Sequence, residues 1–370
     1  MASKQAERAL ALEELTIVDA DSHLSAPADE LVEYMPADSG ARRMVERAGN
    51  VGSEIFTKTR ATPAFPNDGD YDGHRAGHDP GTPEGKLGFM EEFGLDHSVL
   101  TPGGGIATIN NDRVAVAWAS AYNDWLVDNW LDADDRLSAT AAVANQRPDM
   151  AAEEVDRVAG EGGVVGVQMP GAGLIPPAGN WMYEPIYEAA ESHGLPVVMH
   201  SHDNQAQWSF PVQRRWAETF TESHAFTFPV EAMWHLISLV CNGVPERFPD
   251  LEFVFQEPGF EWVPWMMWRL DDHYFQNSED LPMLSKRPSE YVRDQFYFTT
   301  QPLGHTENYR HMASIMDIAG GGDTLLFSTD HPHPDFDPPE EVFAPAKTGL
   351  DDEDVRGVMG ETALDLFGLA

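Results

Sequence analysis

Four residues with metal-binding side chains close short apolar runs of this sequence. Asp21 and His23 end the first run, His200 ends a run that begins at Pro196, and Asp330 follows Leu-Leu-Phe-Ser-Thr. Asp21 and His23 are two positions apart, so both side chains point to the same face of an extended chain. Two carboxylates and two imidazoles suit Zn²⁺, with Mn²⁺, Fe²⁺ or Ni²⁺ as alternatives. Burying these groups without a cation would be costly, and we therefore expect a metal site.

The elements that would position these residues are eight short apolar runs, which alternate with longer stretches that carry apolar residues at helical spacing. The apolar runs cover residues 15–19, 98–101, 137–143, 164–169, 196–199, 251–255, 295–299 and 324–328. The helical stretches cover residues 112–130, 150–158, 183–193, 230–240, 261–275, 307–318 and 352–367. Continuous apolar runs of this length are typical of strands buried on both faces, and the alternation predicts a parallel sheet with right-handed crossovers.

Eight strand–helix units predict a single-domain α/β protein with the (β/α)8 TIM-barrel fold over residues 1–370. In such a barrel the carboxyl ends of the first, fifth and eighth strands surround one cavity, and the first and eighth strands are neighbours. The four candidate ligands would therefore converge. A doubly wound open sheet is the structural alternative, but no GxGxxG motif or P-loop follows the first strand.

Two segments interrupt the alternation, residues 49–83 and residues 203–228. Both follow the carboxyl end of a strand, so we expect them to form walls or lids over the catalytic face. An arginine in the first segment would bind a substrate carboxylate through its guanidinium, and aromatic residues in the second would suit a planar substrate. Surface charge and ordinary packing are the alternatives. The candidate substrate-binding residues are Arg60, His74, Arg75, His202 and Trp208, with Trp216, Phe226 and Phe228 as further aromatic candidates.

The composition indicates a folded, acidic protein. The net charge of -39 is spread along the chain, only five lysines are present, and ten Trp and nineteen Phe distinguish the chain from a disordered acidic protein. A Lys-poor acidic surface is typical of a halophilic protein in a salt-rich cytoplasm, where screening weakens self-repulsion. An acidic mesophilic protein is the alternative. The charge excludes nucleic acid and anionic membranes as expected partners.

The sequence shows no sign of secretion or membrane insertion. Cys241 is the only cysteine, so no intramolecular disulfide can form, and its apolar surroundings favour packing over a nucleophilic role. The first 14 residues are polar and charged, and no stretch approaches the ~18 apolar residues of a membrane span. We expect a cytoplasmic protein.

Motifs around the candidate ligands resemble the amidohydrolase superfamily, and more narrowly the amidohydrolase-2 family of aminocarboxymuconate-semialdehyde and γ-resorcylate decarboxylases. Asp-Ala-Asp-Ser-His at 19–23 resembles the opening D-x-H motif of the family. The likeness continues at 91–96, 121–125, 194–200 and 327–333, through most of the chain. The resemblance implies that Asp21, His23, His200 and Asp330 are metal ligands, in agreement with their placement. It also implies a homodimer or a larger assembly.

The sequence departs from the family at the end of the sixth strand. Many members carry His-x-Gly there, whereas this chain has Glu257-Pro258-Gly259. Glu257 would be either a proton donor whose pKa is raised by burial or a partner that holds a metal ligand. The sequence leaves both roles open.

The resemblance implies one of two reactions on a small molecule. The first is non-oxidative decarboxylation of an aromatic or unsaturated carboxylic acid, with Asp330 or Glu257 delivering a proton to the carbon. The alternative is hydrolysis of a lactone, amide or ester by metal-activated water, with Asp330 as general base. Both reactions use the same ligands. A purely structural zinc site is disfavoured, because such sites are usually rich in cysteine.

Overall fold

The computed structural model describes residues 10–24, 26–48, 78–102, 105–171, 174–200, 218–333 and 336–369. Within them, eight parallel strands form one sheet in which each strand pairs with the next along the chain. The strands are β1 (Val18–His23), β2 (His97–Thr101), β3 (Leu137–Ala142), β4 (Val164–Pro170), β5 (Val197–His200), β6 (Phe253–Gln256), β7 (Phe296–Thr299) and β8 (Leu325–Leu326). Each lies within a few residues of its predicted range.

Backbone hydrogen bonds join the first and last strands of the sheet. The amide of Ala20 donates to the carbonyl of Phe327 at 2.9 Å, and the amide of His23 donates to the carbonyl of His331 at 2.8 Å. The sheet therefore curves back on itself as a nearly closed barrel, with β8 beside β1. The predicted (β/α)8 fold is confirmed, and the open doubly wound alternative is wrong.

Helices follow the strands around the barrel. They are α1 (Ala28–Tyr34), α2 (Gly40–Ala48), α3 (Pro83–Phe93), α4 (Asp112–Leu126), α5 (Pro148–Val158), α6 (Glu184–His193), α7 (Phe220–Cys241), α8 (Val244–Arg247), α9 (Val263–Gln276), α10 (Pro288–Gln295), α11 (Tyr309–Ala319), α12 (Pro339–Gly349), α13 (Asp352–Arg356) and α14 (Thr362–Phe367). One π-helical turn, Val127–Leu131, continues α4, and a second, Gly357–Glu361, joins α13 to α14.

Among the helices that differ from the sequence prediction, α7 and α3 lie beside the barrel mouth. α7 begins at Phe220 rather than near residue 230, so the last residues of the second predicted insertion are helical and not loop. A capping box starts the helix: the Thr219 side chain accepts from the Glu222 amide, and the Glu222 carboxylate accepts from the Thr219 amide. The sequence analysis also missed α3, which Thr82 caps and which ends at Gly94 in the left-handed conformation.

A cluster of small apolar residues, mostly valine, fills the interior of the barrel. It includes Val18 and Ala20 of β1, Val99 of β2, Val198 of β5 and Val254 of β6. Residues of α14 pack against the same cluster. The strands and their surrounding helices enclose a second and larger core. Since the apolar interior is continuous, the polar residues of the barrel concentrate at its carboxyl end.

A bulge interrupts β1 just where the candidate ligands begin. Asp19 aligns with Ser98 of β2, whereas Ser22 aligns with Leu100, so three residue steps of β1 match two steps of β2. A bulge of this kind bends a strand and redirects its side chains. The first pair of predicted ligands lies at and just beyond this irregularity.

The surface of the protein carries few lysines. Lys286 and Lys347 form ion pairs with Asp294 and Asp352, whereas Lys86 is fully buried. The chain has 62 acidic and 23 basic residues in total, so negative charge dominates its exterior. Within the described ranges, no helix is both long and apolar enough to cross a membrane.

We expect the thermal midpoint of unfolding to rise when potassium chloride increases from about 0.1 M to about 1 M. The screening length falls from about 10 Å to about 3 Å over this range, which weakens the repulsion among carboxylates in a chain of net charge -39. Circular dichroism melts at constant pH would measure the shift. A midpoint that stays constant or falls would contradict the argument from self-repulsion.

Candidate metal centre

The four predicted ligands lie together at the carboxyl ends of β1, β5 and β8. Asp21, His23, His200 and Asp330 each offer one ligand atom, and these atoms all lie within 4.8 Å of one another. All four side chains are buried, with His23 the most exposed at 7%. Residues that are as far as 309 positions apart in the sequence therefore lie in one cluster.

Two carboxylate oxygens of the cluster have no hydrogen-bond donor among the described residues. His23 Nε2 lies 2.8 Å from Asp330 Oδ1, and His200 Nε2 lies 3.7 Å from Asp21 Oδ2. Asp21 Oδ2 and Asp330 Oδ2 are inaccessible to solvent and accept no hydrogen bond from any described residue. A buried carboxylate oxygen with no partner is costly. A divalent cation would satisfy both oxygens, so the residues present fit a metal.

Burial and charge shift the pKa values of these groups in different directions. Burial, followed by the charges of Asp330 and Glu257, raises the pKa of Asp21 well above its usual range. Burial acts the same way on Asp330, but His333 and His23 outweigh it and hold the pKa of that carboxyl below its usual range. Burial lowers the pKa of His23 to about 4, which keeps the imidazole neutral and its lone pair available to a metal.

Glu257 stands directly beside the cluster, at the end of β6. Its Oε2 atom lies 3.1 Å from His200 Nε2, and its Oε1 atom lies 3.3 Å from His224 Nε2. Burial, followed by the charge of Asp330, raises the pKa of Glu257 to about 7. The carboxyl group lies against the same His200 nitrogen that faces Asp21, and it is placed to exchange a proton with a bound molecule.

A cavity of about 260 Å³ opens next to Glu257. His224 and Phe228 of α7 form one wall, and Trp262 and Pro302 lie on the others. The sequence analysis missed His224, because residues 203–228 were interpreted as a loop. The Thr-x-x-Glu capping box at 219–222 was the signal that could have found it.

The two aromatic candidates that the structure describes have different surroundings. Phe228 is 4% exposed and lines the cavity, as predicted for a wall residue, whereas Phe226 is 56% exposed and is absent from the cavity lining. The other candidate substrate-binding residues, Arg60, His74, Arg75, His202, Trp208 and Trp216, lie outside the described residues.

The loop after β8 is held to β1 by hydrogen bonds that fix Asp330. Thr329 donates to Asp19 from its amide at 2.8 Å and from its hydroxyl at 2.6 Å. The amide of Asp330 donates to the carbonyl of Asp21 at 2.9 Å. Asp330 has a left-handed backbone with φ of 61°, and His333 Nδ1 lies 2.8 Å from its Oδ1 atom. The sequence analysis assigned no role to Asp19 or Thr329, although both support the cluster of candidate ligands.

The barrel as a whole matches a known family. Residues 18–369 match the family described as Amidohydrolase, so the chain belongs to the amidohydrolase family, and the resemblance of its motifs is confirmed. More particularly, the chain is similar to the γ-resorcylate decarboxylase of Polaromonas sp. The two are 24% identical over 299 residues, which cover 77% of this chain and 86% of that relative.

Solved structures share the fold. The 5-carboxyvanillate decarboxylase of Sphingomonas paucimobilis matches with a TM-score of 0.71 at 20% identity, over 96% of this chain and 100% of that one. A dihydroxybenzoic acid decarboxylase from Polaromonas sp., with bound manganese and the inhibitor 2-nitroresorcinol, matches with a TM-score of 0.64 at 19% identity. This match covers 96% of this chain and 97% of that one.

We expect Thr329→Val to lower the free energy of unfolding by about 2–4 kcal/mol, because it leaves buried polar groups without partners. The lost hydroxyl donates to Asp19 Oδ2 and accepts from the amide of His331. Thr140→Val is the matched control, since Thr140 is equally buried and its hydroxyl has no partner among the described residues. Guanidinium denaturation would compare the variants. Equal losses in the free energy of unfolding for the two substitutions would show that the hydrogen bonds of Thr329 do not contribute to stability.

Proposed function

We propose that this protein is a metal-dependent decarboxylase of an aromatic or unsaturated carboxylic acid. The observation that carries the proposal is the position of Glu257, a further buried carboxyl group between His200 and a largely apolar cavity. Decarboxylation requires a proton for the carbon that loses its carboxylate, and a carboxyl group at this position can deliver one. The similarity to γ-resorcylate and 5-carboxyvanillate decarboxylases supports the same class of reaction.

Asp21, His23, His200 and Asp330 would hold one divalent cation, for which we propose Zn²⁺ with Mn²⁺ as the alternative. Carboxylate and imidazole donors suit both metals, and the manganese in the Polaromonas structure supports the alternative. When bound, the cation supplies positive charge that binds substrate oxygens and stabilises the negative charge that develops on them.

In the proposed reaction, the carboxyl proton of Glu257 adds to the ring carbon that carries the substrate carboxylate. The bond between that carbon and the carboxylate then breaks, its electron pair returns to the ring, and CO₂ leaves. Glu257 is left as a carboxylate between His224 and His200, at 3.3 and 3.1 Å, and solvent returns its proton. Asp330 is the alternative donor.

The size of the cavity is suited to a small substrate. Its volume of about 260 Å³ lies just below the range of about 300–1,000 Å³ that drug-sized ligands occupy, and Phe228 and Trp262 offer aromatic faces to a planar ring. We keep Arg60, His74, Arg75, His202 and Trp208 as proposed contacts of the substrate. The same ligand set would serve a hydrolase of a lactone, amide or ester, so a test must include such compounds.

We expect the purified protein to contain one divalent ion per chain and to release CO₂ from a hydroxybenzoate. Elemental analysis in high salt would count the metal, and a panel that includes 2,6-dihydroxybenzoate, 5-carboxyvanillate and simple lactones would identify the reaction. Removing the ion with a chelator should abolish CO₂ release, and Zn²⁺ or Mn²⁺ should restore it. Proton release from lactones without any CO₂ would reject decarboxylation in favour of hydrolysis.

We expect Glu257→Gln to lower kcat by about 10²–10⁴-fold, the usual contribution of a general acid, while the metal content stays the same. Glu252→Gln is the control, because Glu252 directly precedes β6 and hydrogen-bonds Tyr297 at 3.1 Å, remote from the ligands. Steady-state kinetics on the substrate found above would compare them. A Glu257→Gln enzyme with full kcat would exclude Glu257 as the donor and leave Asp330 as the candidate.

The assembly is what the family resemblance implies, and the location is an expectation from the sequence. We propose a cytoplasmic homodimer, and several exposed aromatic side chains on α9, including Trp265 and Trp268, are compatible with a contact surface. Analytical ultracentrifugation in high salt would measure the assembly.

A further inference from the structure

Lys86 of α3 is a fully buried lysine that contacts a hydroxyl, an imidazole and a backbone carbonyl. Its Nζ atom lies 2.6 Å from Ser22 Oγ, 2.9 Å from His331 Nδ1 and 3.2 Å from the His331 carbonyl oxygen. Lysine is almost never fully buried without a charged partner. No carboxylate of the described residues lies within 4 Å of Nζ in an ion pair. The position of this cation therefore requires an explanation other than a salt bridge.

The contacts of Lys86 lie next to ligands from both ends of the chain. Ser22 lies between Asp21 and His23 on β1, and His331 directly follows Asp330 after β8. One ammonium group therefore joins the two chain segments that supply three of the four proposed ligands.

α3 holds the loop after β8 at a second point. The ring of Phe89, one turn beyond Lys86, stacks on the imidazole of His331 with ring centroids 3.7 Å apart and planes 17° apart. The carbonyl of His331 also accepts from the amide of His23 at 2.8 Å. His331 is thus fixed through its ring and its backbone, directly beside Asp330.

Asp330 needs such support because its backbone is strained. A left-handed conformation at a residue other than glycine costs about 1–3 kcal/mol and persists only when the surroundings over-determine it; here φ is 61°. We propose that Lys86 is a positioning residue of the metal centre, which fixes Ser22 and His331 and thereby sets the distance between the β1 ligands and Asp330. The proposal rests on the ligand assignment given above.

If Lys86 acted through its charge alone, its removal would have the opposite effect on cation binding. Burial lowers the pKa of Lys86 to about 8, while the carboxylates of Asp19, Asp330 and Asp21 oppose this shift. If Lys86 acted only as a positive charge near these carboxylates, its removal would strengthen the binding of a cation. If Lys86 positions the ligands, its removal weakens cation binding.

The test uses Co²⁺ as the probe in the metal-depleted full chain. Lys86→Met removes the ammonium group and keeps an apolar stem, whereas Lys86→Arg keeps the charge and offers several donors. Lys286→Met is the control, because Lys286 is a surface lysine paired with Asp294. Competition with a chelator gives the Kd for Co²⁺, and visible absorption reports the geometry of its ligands.

We expect Lys86→Met to weaken Co²⁺ binding at least tenfold and to change the absorption spectrum. Lys86→Arg should restore most of the affinity, and Lys286→Met should match the unaltered protein. Tighter binding by Lys86→Met would overturn the proposal in favour of charge alone. An unchanged Kd and spectrum with a lower thermal midpoint would overturn it in favour of a role in folding only.

Two further variants cover the remaining outcomes. If Lys86→Met does not fold, Ser22→Ala removes the shortest contact of Nζ, and a weaker Kd then supports the proposal while an unchanged Kd overturns it. Asp330→Asn tests the ligand assignment separately. If that variant binds Co²⁺ with full affinity, the assignment itself fails, whatever the Lys86 variants show.

Discussion

The dominant interaction at the mouth of this barrel is electrostatic repulsion among carboxyl groups that are buried from solvent. Asp19, Asp21, Glu257 and Asp330 are all buried. The charges of Asp330, Glu257 and Asp19 raise the pKa of Asp21, and the charge of Asp330 raises the pKa of Glu257. The surrounding imidazoles and the ammonium of Lys86 offset part of this cost. A divalent cation would offset the rest of this electrostatic cost, because it would place positive charge among the four carboxyl groups. The proposed chemistry depends on the same crowding, since it keeps one carboxyl group available as an acid.

The closure of the barrel determines how these groups meet. The first and last strands are brought side by side by hydrogen bonds between residues about 310 positions apart, as from Thr329 to Asp19. Asp330 therefore meets Asp21 and His23, the candidate ligands of β1, only when the segment after β8 lies against β1. Asp21, His23 and Asp330, which would hold the cation, come from these same two segments.

The strands and the ligand cluster could be predicted because each has a local signal. Buried parallel strands are continuous apolar runs, and the polar residues that follow them mark the catalytic end. The supporting residues lack such a signal. Lys86 looks like an ordinary surface lysine, since burial of its ammonium group depends on α3 packing against β1 and the loop after β8. His224 was missed because residues 203–228 were interpreted as a loop, whereas α7 begins at Phe220 and continues through Pro229. The bulge in β1 likewise has no recognisable sequence signal.

The left-handed backbone at position 330 also limits how this centre can change over generations. Asp and Asn adopt positive φ more readily than most residues, whereas long or branched side chains resist it. A β-branched residue is therefore disfavoured at position 330, where φ is 61°. Asp21, His23 and His200 carry no such restriction, since none of these three candidate ligands has a positive φ.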